Sequence, residues 1–207
     1  MGKNKQKRPT TDAYYGSEAD EYGSSRWMAR NQIQTTLLAI KLLNAEELGG
    51  STELSLGESM VLDIGCGTGY STDAILSTYL NTIGIEISRD MLVQAAARTA
   101  GIWIQADMRH LPLRNTIFDS IISISAFNFA SSGAHSLQEV KDLIRSAVTN
   151  VERVLTHHGK VVIEFYPTKA EEPLFLAEFK RIGMEGGLMI HEPQTKREKK
   201  FLLLKKP

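Results

Sequence analysis

Three glycines at alternate positions behind an apolar run are the residues in this chain best placed to do chemistry. Val61-Leu62-Asp63-Ile64 leads into Gly65-Cys66-Gly67-Thr68-Gly69, a pattern that predicts a strand turning sharply into a helix. Glycines accept positive φ and let a ligand approach the backbone, and the helix start behind them offers free N–H groups to a polar or anionic group. Asp63 precedes the turn, and two further acids follow it. Glu86 closes the run Ile83-Gly84-Ile85, where a carboxylate at a strand end can accept both hydroxyls of a ribose. Asp107 closes Ile104-Gln105-Ala106 and could accept a hydrogen bond from the exocyclic amine of adenine, with Met108 and Ile87 sandwiching the ring. The plainer readings are an ordinary tight turn for the glycines and an exposed loop acid for Asp107.

Dinucleotide folds and S-adenosylmethionine folds both use a strand-end acid on a ribose. The glycines separate them: a dinucleotide turn expects its third glycine at position 70, and Tyr70 stands there.

Elements able to position these groups follow from the periodicity. Short apolar runs at 60–64, 82–87, 102–106, 117–125 and 160–165 alternate with helical stretches near 71–79, 89–98 and 137–155. Such alternation argues for a mostly parallel sheet covered on both faces. Ahead of it, Trp27, Ile33, Leu37, Leu38, Ile40 and Leu42 recur at near-helical spacing until Gly49-Gly50, which predicts a helical cap over 12–50. Behind it, a helix at 170–182 closed by Gly183 leads to two extended runs, 188–191 and 199–204, read as a hairpin. The expected layout is a basic, flexible segment over 1–11, then one domain over 12–207 with its core at 58–207. His157-His158 read as the end of the 137–155 helix, and no metal is expected.

The 207 residues, 42% of them hydrophobic, are enough for a substantial core. Lys plus Arg balance Asp plus Glu at 24 each, yet ten of the basic residues lie in 1–8 and 196–207, beside one acid, Glu198. The intervening body is therefore net negative, between two cationic ends that suit either a polyanion or simple solubility. The single Cys66 cannot form an intramolecular disulfide and fits a reducing compartment. No apolar run is long enough for a bilayer and no secretory signal opens the chain, so a cytoplasmic, membrane-free protein is expected.

Asp63-x-Gly-x-Gly-x-Gly, Glu86, Asp107 and Phe118-Asp119-Ser120-Ile121-Ile122-Ser123 together resemble the class I S-adenosylmethionine-dependent methyltransferases. The resemblance implies an α/β, Rossmann-like fold with a mostly parallel sheet, a C-terminal antiparallel hairpin and an N-terminal helical cap. It implies S-adenosyl-L-methionine as cofactor, held by Arg26, Asp63, Gly65, Gly67, Gly69, Glu86, Ile87, Met91, Asp107, Met108 and Ser125. Arg26 would meet the cofactor carboxylate; a surface salt bridge is the other reading.

Less generic stretches narrow the resemblance. Tyr15, Glu18-Ala19, Tyr22, Ser25-Arg26, Ile122 to Ala126, Phe165-Tyr166-Pro167, Gly186-Gly187 and Lys196 to Leu202 are similar to the small-subunit ribosomal RNA guanine-N7 methyltransferases. That family implies methylation of ribosomal RNA during small-subunit maturation. A small-molecule or protein methyltransferase, or an assembly factor acting by its presence, are the alternatives. The family follows its Ser-Ala with Gln-Trp one position on, whereas Phe127 is followed here by Asn128-Phe129. Guanine N7 attacks through an in-plane lone pair without losing a proton, so no catalytic base is required. Phe127 and Phe129 or Tyr166 are the candidate stacking surfaces, and Asn128 the candidate partner of the guanine edge; Phe129 could equally pack beneath the sheet edge. The resemblance further implies a small zinc-ribbon methyltransferase activator on the edge strand Gly101-Ile102-Trp103-Ile104. Trp103 could instead pack on a neighbouring helix.

Overall fold

The computed structural model describes residues 16, 25–45, 48, 58–195 and 197–207. The expected flexible segment 1–11 and the residues Tyr15, Glu18, Ala19, Tyr22, Gly49, Gly50 and Lys196 lie outside that set. Helix α1 (Arg26–Leu43) begins at Ser25, whose hydroxyl accepts from the Met28 N–H. Strand β1 (Met60–Ile64), helix α2 (Tyr70–Leu76), strand β2 (Asn81–Glu86), helix α3 (Arg89–Arg98) and strand β3 (Ile102–Gln105) follow as two crossover units. Strand β4 (Phe118–Ser123), helix α4 (Leu137–Val154) and strand β5 (Leu155–Glu164) make a third. Helix α5 (Glu172–Arg181) and strands β6 (Glu185–His191) and β7 (Lys199–Lys205) complete the fold.

The seven strands form one sheet in the order β3-β2-β1-β4-β5-β7-β6. The first five are parallel, and β7 runs antiparallel between β5 and β6. The order reverses beside β1, and in such sheets ligands bind outside the carboxyl ends of the strands at that point.

Side-chain alternation along the central strands divides the interior in two. Leu62, Ile121, Val161, Ile163, Leu202 and Leu204 face one core with Ile144, Val148 and Val151 of α4 and Phe175 and Phe179 of α5. Val61, Ile122, Val162 and Leu203 face the other, with Ala39, Ile40 and Leu43 of α1 and Ile75 of α2. Strands buried on both faces therefore read as continuous apolar runs.

Two details differ from the sequence reading. Trp27 and Leu37 point outward, 73% and 44% exposed, while α1 buries the smaller Ala29, Thr35, Thr36 and Ala39. The histidines do not end α4: His157 and His158 lie within β5, where the pairing jumps from Phe118–Leu155 to Ser120–Lys160. That jump is absorbed by His158 at φ +63° and by Gly159, where a Cβ would stand 2.6 Å from the Leu155 side chain.

Candidate cofactor and acceptor site

The turn after β1 is tied to its neighbour strand through backbone hydrogen bonds. The Gly65 and Cys66 N–H groups both donate to the Ile85 carbonyl, at 2.8 and 2.9 Å. Gly65, Gly67 and Gly69 all have positive φ. Their duties differ. Gly65 and Gly67 line a cleft of about 320 Å³ at the carboxyl ends of β1, β2, β3 and β4. Gly69 does not line it: a Cβ there would meet Ala95 and the Trp103 ring at 3.0–3.2 Å, so this glycine lets helix and sheet pack closely.

Asp63 also lies behind the cleft rather than on its wall. Alternation turns it, with Val61, toward α2, where it is fully buried and its Oδ2 accepts from Ser71 Oγ and Thr72 Oγ1, both at 2.6 Å. Its Oδ1 has no hydrogen bond among the described residues. Burial pushes its pKa up to about 6, against the pull of the two hydroxyls and with added repulsion from Glu86. Asp63 thus anchors the glycine turn to the helix that follows, a correction to its reading as a cofactor ligand.

Glu86 stands on the cleft wall. Its Oε2 accepts from the Gly67 N–H at 3.1 Å, and its Oε1 from Ile87 and Ser88 N–H at 2.8 and 2.9 Å. Burial raises its pKa, and the Ser88, Gly67 and Ile87 amides offset part of the rise. The carboxylate is therefore held rigidly by backbone while Oε2 keeps lone-pair capacity toward the cleft. Ile85, Ile87, Met91, Ala106 and Met108 form an apolar slot beside it.

Asp107 lines the same slot, joined by a residue that sequence reasoning missed. Arg109 grips both carboxylate oxygens, with Nε 2.9 Å from each and Nη2 2.6 Å from Oδ2, and donates through Nη1 to the Ser132 carbonyl at 3.1 Å. Burial raises the Asp107 pKa, but the hydrogen bonds and charge of Arg109 outweigh it and hold the group below the ordinary carboxylate value. The Asp-x-Arg spacing was visible in the sequence; its return onto the acid was not.

At the far end of the cleft, Ser125 lies just beyond β4 at φ +57° and lines the cleft together with Ile124, Ala126, Phe129, Ser132 and Gly133. The cap contributes Gln32 rather than Arg26. Six helical residues turn the chain through about 240°, so Arg26 faces away, and it is exposed to solvent.

Two acceptor candidates are corrected. Phe127 is fully buried, its ring centroid 5.9 Å from that of Phe175 and 6.0 Å from that of Phe179, so it belongs to the core and offers no stacking face. Asn128 is buried too, and its Oδ1 accepts from the Tyr166 N–H at 2.7 Å, fixing the chain after β5. Phe129 reaches the cleft, and Tyr166 is 44% exposed with its hydroxyl held between the Glu198 carbonyl and the Lys200 N–H. Trp103 packs its ring over Gly84 and Gly101 and toward Ala95, so the helix-packing reading applies to its side chain, while β3 is the edge of the sheet among the described residues.

Residues 62–163 match a family described as Methyltransferase domain. An 18S rRNA (guanine-N(7))-methyltransferase from Bos taurus is 31% identical over 206 residues, covering 98% of this chain and 70% of the relative. The 18S rRNA (guanine(1575)-N(7))-methyltransferase of Saccharomyces cerevisiae is 29% identical, with 95% and 69% covered. The probable 18S rRNA (guanine-N(7))-methyltransferase of Dictyostelium discoideum is 30% identical, with 92% and 65% covered. This chain thus spans about two thirds of the length of these relatives. Among solved structures, DesVI of Streptomyces venezuelae has a TM-score of 0.67 at 16% identity, covering 94% of this chain and 100% of that one. Magnesium protoporphyrin IX methyltransferase from Synechocystis, solved with bound S-adenosylmethionine, has a TM-score of 0.65 at 15% identity, covering 95% and 94%. The glycine turn without a Cβ at Gly67, the strand-end Glu86 and the apolar slot ending at Asp107 fit the adenosine part of that cofactor. By its glycine turn, its sheet order and its likeness to these relatives along nearly its whole length, the chain belongs to the family of the 18S rRNA guanine-N7 methyltransferases, S-adenosylmethionine-dependent enzymes of class I fold.

Proposed function

We propose that this protein methylates the N7 atom of a guanine in small-subunit ribosomal RNA during ribosome maturation, with residues 12–207 acting as one methyltransferase domain. The observation that carries this reading is the extent of the similarity. The likeness to the Bos taurus relative covers 98% of the chain, well beyond the 62–163 stretch common to methyltransferase domains, and takes in the cap helix and hairpin that flank the acceptor end.

The residues suit a direct transfer. S-adenosylmethionine supplies an electrophilic methyl on a sulfonium. Glu86 would hold the ribose hydroxyls, Asp107 the adenine amine, and Ile87, Met91 and Met108 the faces of the ring. Among the described residues lining the cleft the titratable groups are Glu86, Asp107 and Arg109, each engaged by backbone or by the other. A nucleophile that needs no deprotonation matches such a cleft, and catalysis then rests on orientation, able to supply roughly 7 to 11 kcal/mol in favourable cases. Phe129 and Tyr166 are the surfaces on which a base would stack, and the basic residues near the two ends would contact phosphates.

Among the described residues strand β3 presents an unpaired edge carrying Ile102, which is 60% exposed. Such an edge supports a partner that adds a strand, the small zinc-ribbon activator implied by the family resemblance. No described helix is long and apolar enough to cross a membrane, and a cytoplasmic site of action accords with the single Cys66.

The test is to incubate the purified protein, alone and with the activator, with labelled S-adenosylmethionine and small subunits from cells lacking the gene. Digestion of the RNA to nucleosides should place the label in 7-methylguanosine. Cofactor binding without transfer to RNA would overturn the assignment.

A further inference from the structure

Glu164 is a buried carboxylate that the adenosine half of the site does not use. It ends β5, its side chain is 3% exposed, and it receives a hydrogen bond from the Ser125 hydroxyl. Its other oxygen is paired at 3.2 Å with Lys199 Nζ of β7, which also reaches Asn31 Oδ1 of α1 at 3.3 Å. Sheet, hairpin and cap helix therefore converge on one carboxylate, and the only member of that group on the cleft wall is Ser125.

A hydroxyl has one hydrogen and two lone pairs. With the hydrogen committed to Glu164, Ser125 can turn only lone pairs toward the cleft. The residue is also aimed by its backbone, since φ +57° is tolerated only where the surroundings enforce it. Its neighbour Ala126 touches the first glycine of the turn, where a Cβ on Gly65 would stand 2.1 Å from the Ala126 Cβ. Ser125 thus sits beside the glycine turn, across Glu86 from Asp107. A cofactor whose adenine lies at Asp107 and whose ribose lies at Glu86 brings its amino-acid head to this end.

We infer that Glu164 is a positioning residue which fixes Ser125 Oγ as a hydrogen-bond acceptor for the α-ammonium group of the cofactor. The inference rests on the cofactor and on no assumption about the acceptor. It gives the Glu164–Lys199 pair a task beyond closing the sheet: Lys199 neutralises and orients the carboxylate, so that what reaches the cleft is an oriented dipole and not a mobile anion.

The experiment is calorimetric titration of this chain and of its Glu164→Gln and Ser125→Ala variants with three ligands. These are S-adenosylmethionine, S-adenosylhomocysteine and the analogue of the latter lacking its α-amino group. In Glu164→Gln the amide can donate to Ser125, which releases the serine hydrogen toward the cleft and sets donor against donor. Both variants should bind the two amino-bearing ligands about tenfold more weakly, equally for the two because both carry the ammonium, while affinity for the deaminated analogue stays at the wild-type value. Glu164→Asp, keeping the charge, should recover part of the loss. Equal losses for the deaminated analogue would show a purely structural role and overturn the inference, as would unchanged affinities throughout. No RNA enters the measurement, so a failed ribosomal assignment leaves it intact, and absence of all binding to the wild type would overturn the cofactor reading itself.

Discussion

The α-carbon of Gly65 faces the methyl group of Ala126 so closely that a Cβ on the glycine would lie 2.1 Å from the alanine Cβ. Gly65 is also at φ +75°. Gly65→Ala should therefore lose about 2 kcal/mol or more of stability and most cofactor affinity. Adding Ala126→Gly should return the steric part and leave about 1 kcal/mol of backbone cost. Thermal melts of the two variants, with cofactor titration, check this; equal stability of the single and double variants would contradict it.

Removing the ribose carboxylate is expected to act on binding before folding. Glu86→Gln keeps an oxygen for one set of amides but turns an NH₂ against a backbone N–H or the ribose. S-adenosylhomocysteine should bind at least about tenfold more weakly, with transfer to RNA reduced at low cofactor and partly restored as cofactor is raised. Calorimetry beside a methyl-transfer assay would show it.

Asp63 makes stability depend on pH in the unusual direction. Its pKa is about 6 in the folded chain against 3.8 for the free side chain, so between those values the native state holds more proton than the unfolded chain. Stability contributed by this group is thus present at low pH and lost as pH rises from about 4 to 6, a difference of roughly 3 kcal/mol for a shift of this size. Asp63→Asn, which keeps an oxygen for Ser71 and Thr72, should gain on the wild type as pH increases through that window. Melting temperatures of both proteins from about pH 4 to 7.5 test it; parallel curves would refute it.

The two aromatic candidates should separate cleanly. Phe127→Ala removes a ring buried against Phe175 and Phe179 and should cost about 3–5 kcal/mol without a selective effect on the RNA substrate. Tyr166→Ala should leave S-adenosylhomocysteine affinity unchanged and raise KM for the subunit several-fold. A fall in cofactor affinity in the Tyr166 variant would contradict this division.

Local pattern made the scaffold legible. The run 60–64 and the helix 89–98 coincide with β1 and α3, because apolar strands and a serine-capped helix carry their own signals. The glycine turn, Glu86 and the hairpin were legible for the same reason, and the antiparallel end of the sheet through the family resemblance. What escaped depends on residues far apart in the chain. Glu164 meets Ser125 across 39 positions, and Arg109 reaches forward to Ser132, neither with a spacing rule behind it. Phe127 and Phe129 have the same composition around them, and only the single turn of 3₁₀ helix at 127–129 sends one inward and the other to the cleft. The glycine motif alone suggests a ligand at Asp63, whereas strand alternation, which sets its direction, turns it toward Ser71 and Thr72 behind the cleft.

Strand β7 has a bearing on how the chain is made. Residues 199–205 are enclosed by β5 on one side and β6 on the other, though both neighbours precede them in synthesis. While a ribosome is still translating the hairpin, β5 has an open flank and β6 has nothing to pair with. Half of the Glu164 site, Lys199, is likewise missing at that stage. A nascent chain can therefore assemble the adenosine wall early and the wall around Ser125 and Glu164 only once β7 has emerged, which leaves an interval in which the half-built sheet is open to chaperones or to a strand-adding partner.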